Sequence, residues 1–153
     1  MGDPKGDHLF VNLSAAKTRQ RLNGFGHGVR KIRSAGKNRA LIIHTATGNN
    51  LSELKHLFED VGWANREAAL SEPIENLRNI GPTAATWLRD AGIRTVADLE
   101  ASGPVFAYVR ARSLHKEVTR NLLWALVAGL QNRDWRDLTS REKDRLLDQI
   151  DRL

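Results

Sequence analysis

The chain has 153 residues, enough for one domain or two small ones and for a sizeable core. It contains no cysteine, which excludes disulfides, thiolate catalysis and cysteine-ligated zinc. Its net charge is +6 on an ordinary globular composition, and no apolar run approaches the ~18 residues of a membrane span or resembles a signal peptide, so a soluble cytoplasmic protein is expected.

From the N-terminus, residues 1–8 are polar, contain Gly and Pro, and read as a disordered tail. A basic mixed module follows over 9–63. Ser14 can cap a helix through Ala15–Leu22 that stops at Asn23-Gly24. GFGHG at 24–28 reads as a loop. It has no good strand before it and no Gly-Lys-Ser/Thr with which a nucleotide loop holds phosphate and magnesium. Val29–Arg33 and Arg39–Thr45 read as two strands of a hairpin around residues 34–38. Asn50 with Glu53 resembles a capping box. The helix it opens places Leu51, Leu54, Leu57, Phe58 and Val61 on one stripe and ends near Gly62. Residues 64–73 are polar and end in Ser-Glu-Pro, as a linker would.

Everything over 74–153 reads helical. A short helix at 74–79 meets a second at Pro82, suited to a first helical position, with Ala84, Trp87, Leu88 and Ala91 inward. Gly92 supplies a left-handed stop and Ile93 the apolar fold-back. Thr95 with Asp98 starts a third helix, and Gly103-Pro104 breaks it and starts a fourth ending near Arg112. A fifth spans about 116–131 with Leu122, Leu123 and Leu126 at helical spacing. Thr139 and Glu142 form a capping box for a last helix with Leu146, Leu147 and Ile150 inward. The fold class expected is therefore α+β: a small helix–hairpin–helix module, then an all-α domain of five to six helices. Trp124 and Trp135 are expected to pack that domain and Trp63 to close the first.

The charge is unevenly placed. Residues 1–65 hold ten Lys/Arg against five Asp/Glu, whereas residues 66–153 hold fourteen against thirteen. No acid lies between Asp7 and Glu53, a window that contains Lys17, Arg19, Arg21, Arg30, Lys31, Arg33, Lys37 and Arg39. A one-signed field attracts a polyanion, most often nucleic acid, with DNA the expected form. A solvated basic face is the competing reading.

The turn at Gly81 is the second candidate. Phosphate-binding hairpins usually carry Gly-x-Gly, so that successive amides approach the anion unobstructed. Here Asn79 takes the first position and Pro82 deletes an amide. The amides of Gly81, Thr83 and Ala84 remain, with the Thr83 hydroxyl as a helper. This is a degraded phosphate site, and a purely structural turn competes with it. His8, His27, His44, His56 and His115 show no metal-ligand spacing, and no serine sits in a nucleophile elbow. No catalytic residue, metal, cofactor or small-molecule substrate is expected.

The run LRNIGPTAATWLRDAGIRTVADL, the Gly103-Pro104 break, the Leu-Leu-Trp-Ala-Leu helix and Asp134-Trp135-Arg136 with Leu138 together resemble the C-terminal domain of the TfoX/Sxy family. The likeness covers about residues 74–147. It implies an all-helical, helix-hairpin-helix-like domain and a role near DNA or transcriptional control, in a bacterial family associated with natural competence. The first half carries neither the Met-Phe-Gly-Gly-like opening nor the longer sheet of that family's usual N-terminal domain. Two functions follow: a non-enzymatic regulatory protein associated with nucleic acid, or an adaptor whose helical domain binds a protein partner.

Overall fold

The computed structural model describes residues 6–25 and 28–153. It divides into two compact units, 1–73 and 74–153.

The first unit is a four-stranded antiparallel sheet with two helices. In chain order it contains β1 (Asp7–Val11), α1 (Ala15–Arg21), β2 (Val29–Gly36), β3 (Arg39–His44), α2 (Gly48–His56) and the two-residue β4 (Trp63–Ala64). The sheet order is β2-β3-β1-β4. The mixed α+β class is as expected, but the sheet is larger than a hairpin. Asp7 and His8, assigned to a tail by composition, open a central strand, while residues 1–5 lie outside the described residues. Alternation explains β1: Leu9 and Val11 are fully buried, and with Ala40 and Ile42 of β3 they form the core face under Leu54, Phe58 and Val61.

Local chemistry sets the element ends. The Ser14 hydroxyl accepts from the Lys17 amide at the start of α1, as its position suggests. The β2–β3 turn is tighter than residues 34–38, reducing to Lys37-Asn38 with Asn38 at a φ of 54°. Helix α2 starts at Gly48 behind Thr47, so Asn50 and Glu53 fall inside it rather than capping it. It stops at His56, and 57–61 continue as turns. Residues 64–73 include Ala64 of β4 and a single 3-10 turn at Glu67–Ala69.

The second unit is helical: α3 (Pro82–Asp90), α4 (Val96–Ser102), α5 (Pro104–Leu114), α6 (Arg120–Leu130) and α7 (Ser140–Asp151). Single 3-10 turns occupy Ile74–Asn76, where a longer helix was expected, and Trp135–Asp137. Pro82 stands at the first position of α3. Gly92, at a φ of 87°, ends it. The Ile93 amide then donates to the Leu88 carbonyl at 2.8 Å, and that of Gly92 to Arg89 at 2.9 Å, the paired bonds of a left-handed helix stop. Both expected capping boxes form, Thr95 with Asp98 and Thr139 with Glu142. Helix α6 is buried almost all round, with Leu122, Leu123, Trp124 and Leu126 inside. It lies so close to the 77–78 backbone that a Cβ on Gly129 would sit 2.5 Å from the Arg78 carbonyl oxygen.

Candidate nucleic-acid interface

The cations of the acid-free window fall into two groups. Lys17 and Arg19 are exposed on α1, Arg30, Lys31 and Arg33 are exposed along β2, and Lys37 is exposed at the hairpin turn. Among the described residues strand β2 is the sheet edge, paired with β3 alone. Helix α1 packs beside it, and the Arg19 guanidinium donates to the Ile32 carbonyl at 3.1 Å, tying helix to strand. Arg30 is the extra residue of a β-bulge, since Val29 opposes His44 and Lys31 opposes Ile43. Lys31 and Arg33, two residues apart, share a face.

The other two cations are held by contacts within the unit. Arg39 is 7% exposed. Its Nε donates to Asn12 Oδ1 at 3.3 Å, and its Nη2 to the Leu70 and Ser71 carbonyls, each at 2.9 Å. Through Nε and Nη2 it fastens the segment after β4 against the sheet. Arg21 is half-buried. Its Nη1 reaches Asp60 Oδ1 at 2.6 Å and the Leu57 carbonyl at 2.8 Å, and its guanidinium lies over the Phe58 ring at 5.6 Å. Burial alone would raise the Asp60 pKa, but the Arg21 hydrogen bond and charge outweigh it and hold the carboxyl below its ordinary value. Arg21 thus joins α1 to the turns behind α2. Composition cannot separate these two from their neighbours.

The Gly81 turn belongs to the second unit. Asn79 adopts a φ of 75°, the left-handed backbone that glycine would otherwise supply. Its side-chain amide donates to Arg133 O at 2.8 Å and Ala125 O at 3.4 Å, so it also stitches the turn to α6 and the segment beyond. Gly81 is exposed, caps α3 at an ordinary φ of −95°, and would admit a Cβ into open space. Neither its own conformation nor internal packing requires glycine there. Thr83 is exposed in the first turn of α3, which has no acid.

His8 and His44 line one cavity with Asp7 and Lys55. His44 is buried, and among the described residues its Nδ1 has no hydrogen-bond partner. Burial, the largest influence, lowers its pKa below the ordinary value against the opposing pull of Asp7. His56 pairs with Glu59 and His115 with Asp90. His27 of the GFGHG segment lies outside the described residues. Among the described residues no group of three or more His, Asp and Glu could hold a metal ion, and no helix is long and apolar enough to cross a membrane.

The family model described as TfoX C-terminal domain matches residues 70–150. The chain belongs to that family. The match takes in the whole of α3–α6 and all but the last residue of α7, with the Asn79 turn, the Gly92 stop and the Thr139 capping box. The basic sheet unit precedes the TfoX C-terminal domain and is not assigned to any family. No curated protein and no solved structure matches the chain.

Proposed function

We propose that the chain is a non-enzymatic, nucleic-acid-associated regulatory protein in which the sheet unit holds phosphates and the TfoX C-terminal domain positions it or recruits a partner. The observation that carries this reading is the row of exposed cations on the edge strand: Arg30, Lys31 and Arg33, with Lys37 at its turn and Lys17 on the adjoining helix. No acid interrupts that stretch of sequence, so its field is of one sign over a surface built from neighbouring elements. Membership of the TfoX C-terminal domain family supports the same reading, through the association of TfoX proteins with competence and DNA. The Gly81 turn is a second candidate contact. A Cβ at Gly81 would stand in open space, and the first-turn amides of α3 suit an anion approaching from outside.

Phosphate contact gives a salt-dependent affinity, with log K falling by roughly 0.9 per duplex contact for each decade of salt. Anisotropy titrations of a labelled duplex and its single strand at several salt concentrations measure that slope. Neutralising Lys31 and Arg33 lowers it by nearly two on a duplex if both touch phosphate. Affinity that is micromolar or weaker even at low salt, and indifferent to those substitutions, refutes the proposal.

One observation favours the adaptor reading. Phe106 is 51% exposed and Leu153 is 75% exposed, and both line a groove formed by residues 102–106 and the end of α7. If this groove were the working surface, Phe106→Ser would abolish partner capture while leaving the salt slope untouched.

A further inference from the structure

The strand register says what kind of nucleic acid the sheet unit suits. Leu9, Val11, Ala40 and Ile42 face the core. Strand alternation therefore places His8 and Phe10 of β1, Leu41 and Ile43 of β3, and Lys31 and Arg33 of β2 on the opposite face. The register aligns them in two rows across the sheet. Lys31 opposes Ile43, which opposes His8; Arg33 opposes Leu41, which opposes Phe10. Each row runs from a cation on the edge, through an aliphatic residue, to an aromatic ring on a central strand. His8 and Phe10 meet edge to face with ring centroids 6.3 Å apart, and both are partly exposed. Ile43 is buried, with Gly6 lying against it, while Leu41 in the other row keeps part of its surface. No strand residue on this face carries a carboxylate.

We infer that the sheet unit binds single-stranded nucleic acid, with Lys31 and Arg33 on the phosphates and Phe10 and His8 as the rings on which bases stack; this rests on the nucleic-acid reading above. Same-face residues on a strand stand ~7 Å apart, and because the two rings lie edge to face at 85°, successive bases meet them at different tilts. Stacking of this kind tolerates any sequence, because every base has a flat face, and it is open only to bases not already stacked in a duplex. A duplex would leave the two rings without a role. It would use the cations alone, or take the β2–β3 hairpin into a groove.

The test uses the full chain with a labelled 15-nucleotide single strand, as DNA and as RNA, and the matching DNA duplex at equal salt. The single strands bind at least tenfold tighter than the duplex. Phe10→Leu and His8→Leu each weaken the single strand about five- to tenfold, leave its salt slope unchanged and leave the duplex unaffected. Lys31→Gln with Arg33→Gln lowers the single-strand slope by roughly 1.4. Circular dichroism and melting confirm that each variant folds. Should Phe10→Leu fail to fold, the more peripheral His8→Leu decides. Equal binding of strand and duplex, indifferent to both ring substitutions while Lys31 and Arg33 still set the slope, overturns the stacking inference and leaves the phosphate reading standing. No binding to either at low salt overturns both.

Discussion

Arg39 separates a cation that builds the fold from one that faces a ligand. Its guanidinium is buried against three acceptors, Asn12 Oδ1 and the carbonyls of Leu70 and Ser71, none of them a carboxylate. Asn12 Nδ2 donates to the same Ser71 carbonyl at 3.0 Å, so one small network holds the segment after β4 to the sheet. Hydrogen bonds to a charged group contribute about 1.5–3 kcal/mol each, and a buried acceptor left bare adds its own penalty. Against this, truncation releases a charge from burial and water enters part of the space. The balance for Arg39→Ala is a loss of about 3 kcal/mol. In a unit of this size each kcal/mol moves Tm by roughly 4–8 °C, so the melting point falls by more than ~10 °C. Arg39→Lys recovers less than half, because one ammonium cannot fork across both carbonyls. Thermal and urea melts measure the loss. Salt titrations of the folded Arg39→Lys variant against nucleic acid should show a slope equal to that of the unaltered chain. An Arg39→Ala variant within ~0.5 kcal/mol of the original, with a slope reduced by roughly one contact, would place the side chain at the interface and refute the burial argument.

Three further predictions concern the remaining joints of the fold. Asn79→Gly keeps the left-handed backbone and loses the amide bonds to Ala125 and Arg133, costing about 1 kcal/mol; Asn79→Ala loses the bonds and adds about 1 kcal/mol of backbone strain. Equal urea midpoints for the two variants would show that the φ of 75° carries no cost. Gly129→Ala drives a methyl into the Arg78 carbonyl and should destabilise the chain by about 1–3 kcal/mol, measured by thermal melting; a neutral result would mean that α6 and the 77–78 backbone separate easily. His44 is held neutral by burial, so its contribution is complete above the ordinary value of 6.5 and is lost as pH falls below that towards its lowered folded value. The urea midpoint should therefore drop as pH falls below about 6.5, and drop less in His44→Leu. Equal drops in the two proteins would show that protonation of His44 is not coupled to folding.

The helical unit was the more legible because its signals are local. Pro82 at a helix start, Gly92 at a helix stop and the Thr95 and Thr139 capping boxes each act within four residues, and all of them form. The sheet unit depends on pairing between distant segments. Asp7–Val11 is five residues long and follows a polar stretch, so nothing nearby identifies it as a strand. Only Leu41–Phe10 and Ile42–Leu9 pairing makes its alternation meaningful. The expected capping box at Asn50 failed for a related reason: the cap of helix α2 lies three residues earlier, at Thr47, and Gly48 turns the chain at a φ of 55°.

The candidate interface shows the same division. Counting cations between Asp7 and Glu53 treats eight side chains as one field, yet a strand sorts side chains by parity and a tertiary contact can withdraw any of them. A signal for Arg39 was present. In Arg39–His44 the residues after Arg39 are apolar at both odd and even positions, so a cation at the head of such a strand begins beside apolar surface on either face. In Val29–Gly36 the cations stand in a run with only partly buried residues between them, the pattern of an edge open to solvent. Two adjoining strands of one hairpin thus put like charges to opposite uses. β3 spends Arg39 on carbonyls that would otherwise be buried unbonded, and β2 keeps Lys31 and Arg33 exposed beside Leu41 and Phe10. The Arg21–Asp60 pair could not have been read in this way, because its partners lie 39 residues apart and meet only once α1 and the turns behind α2 share the core.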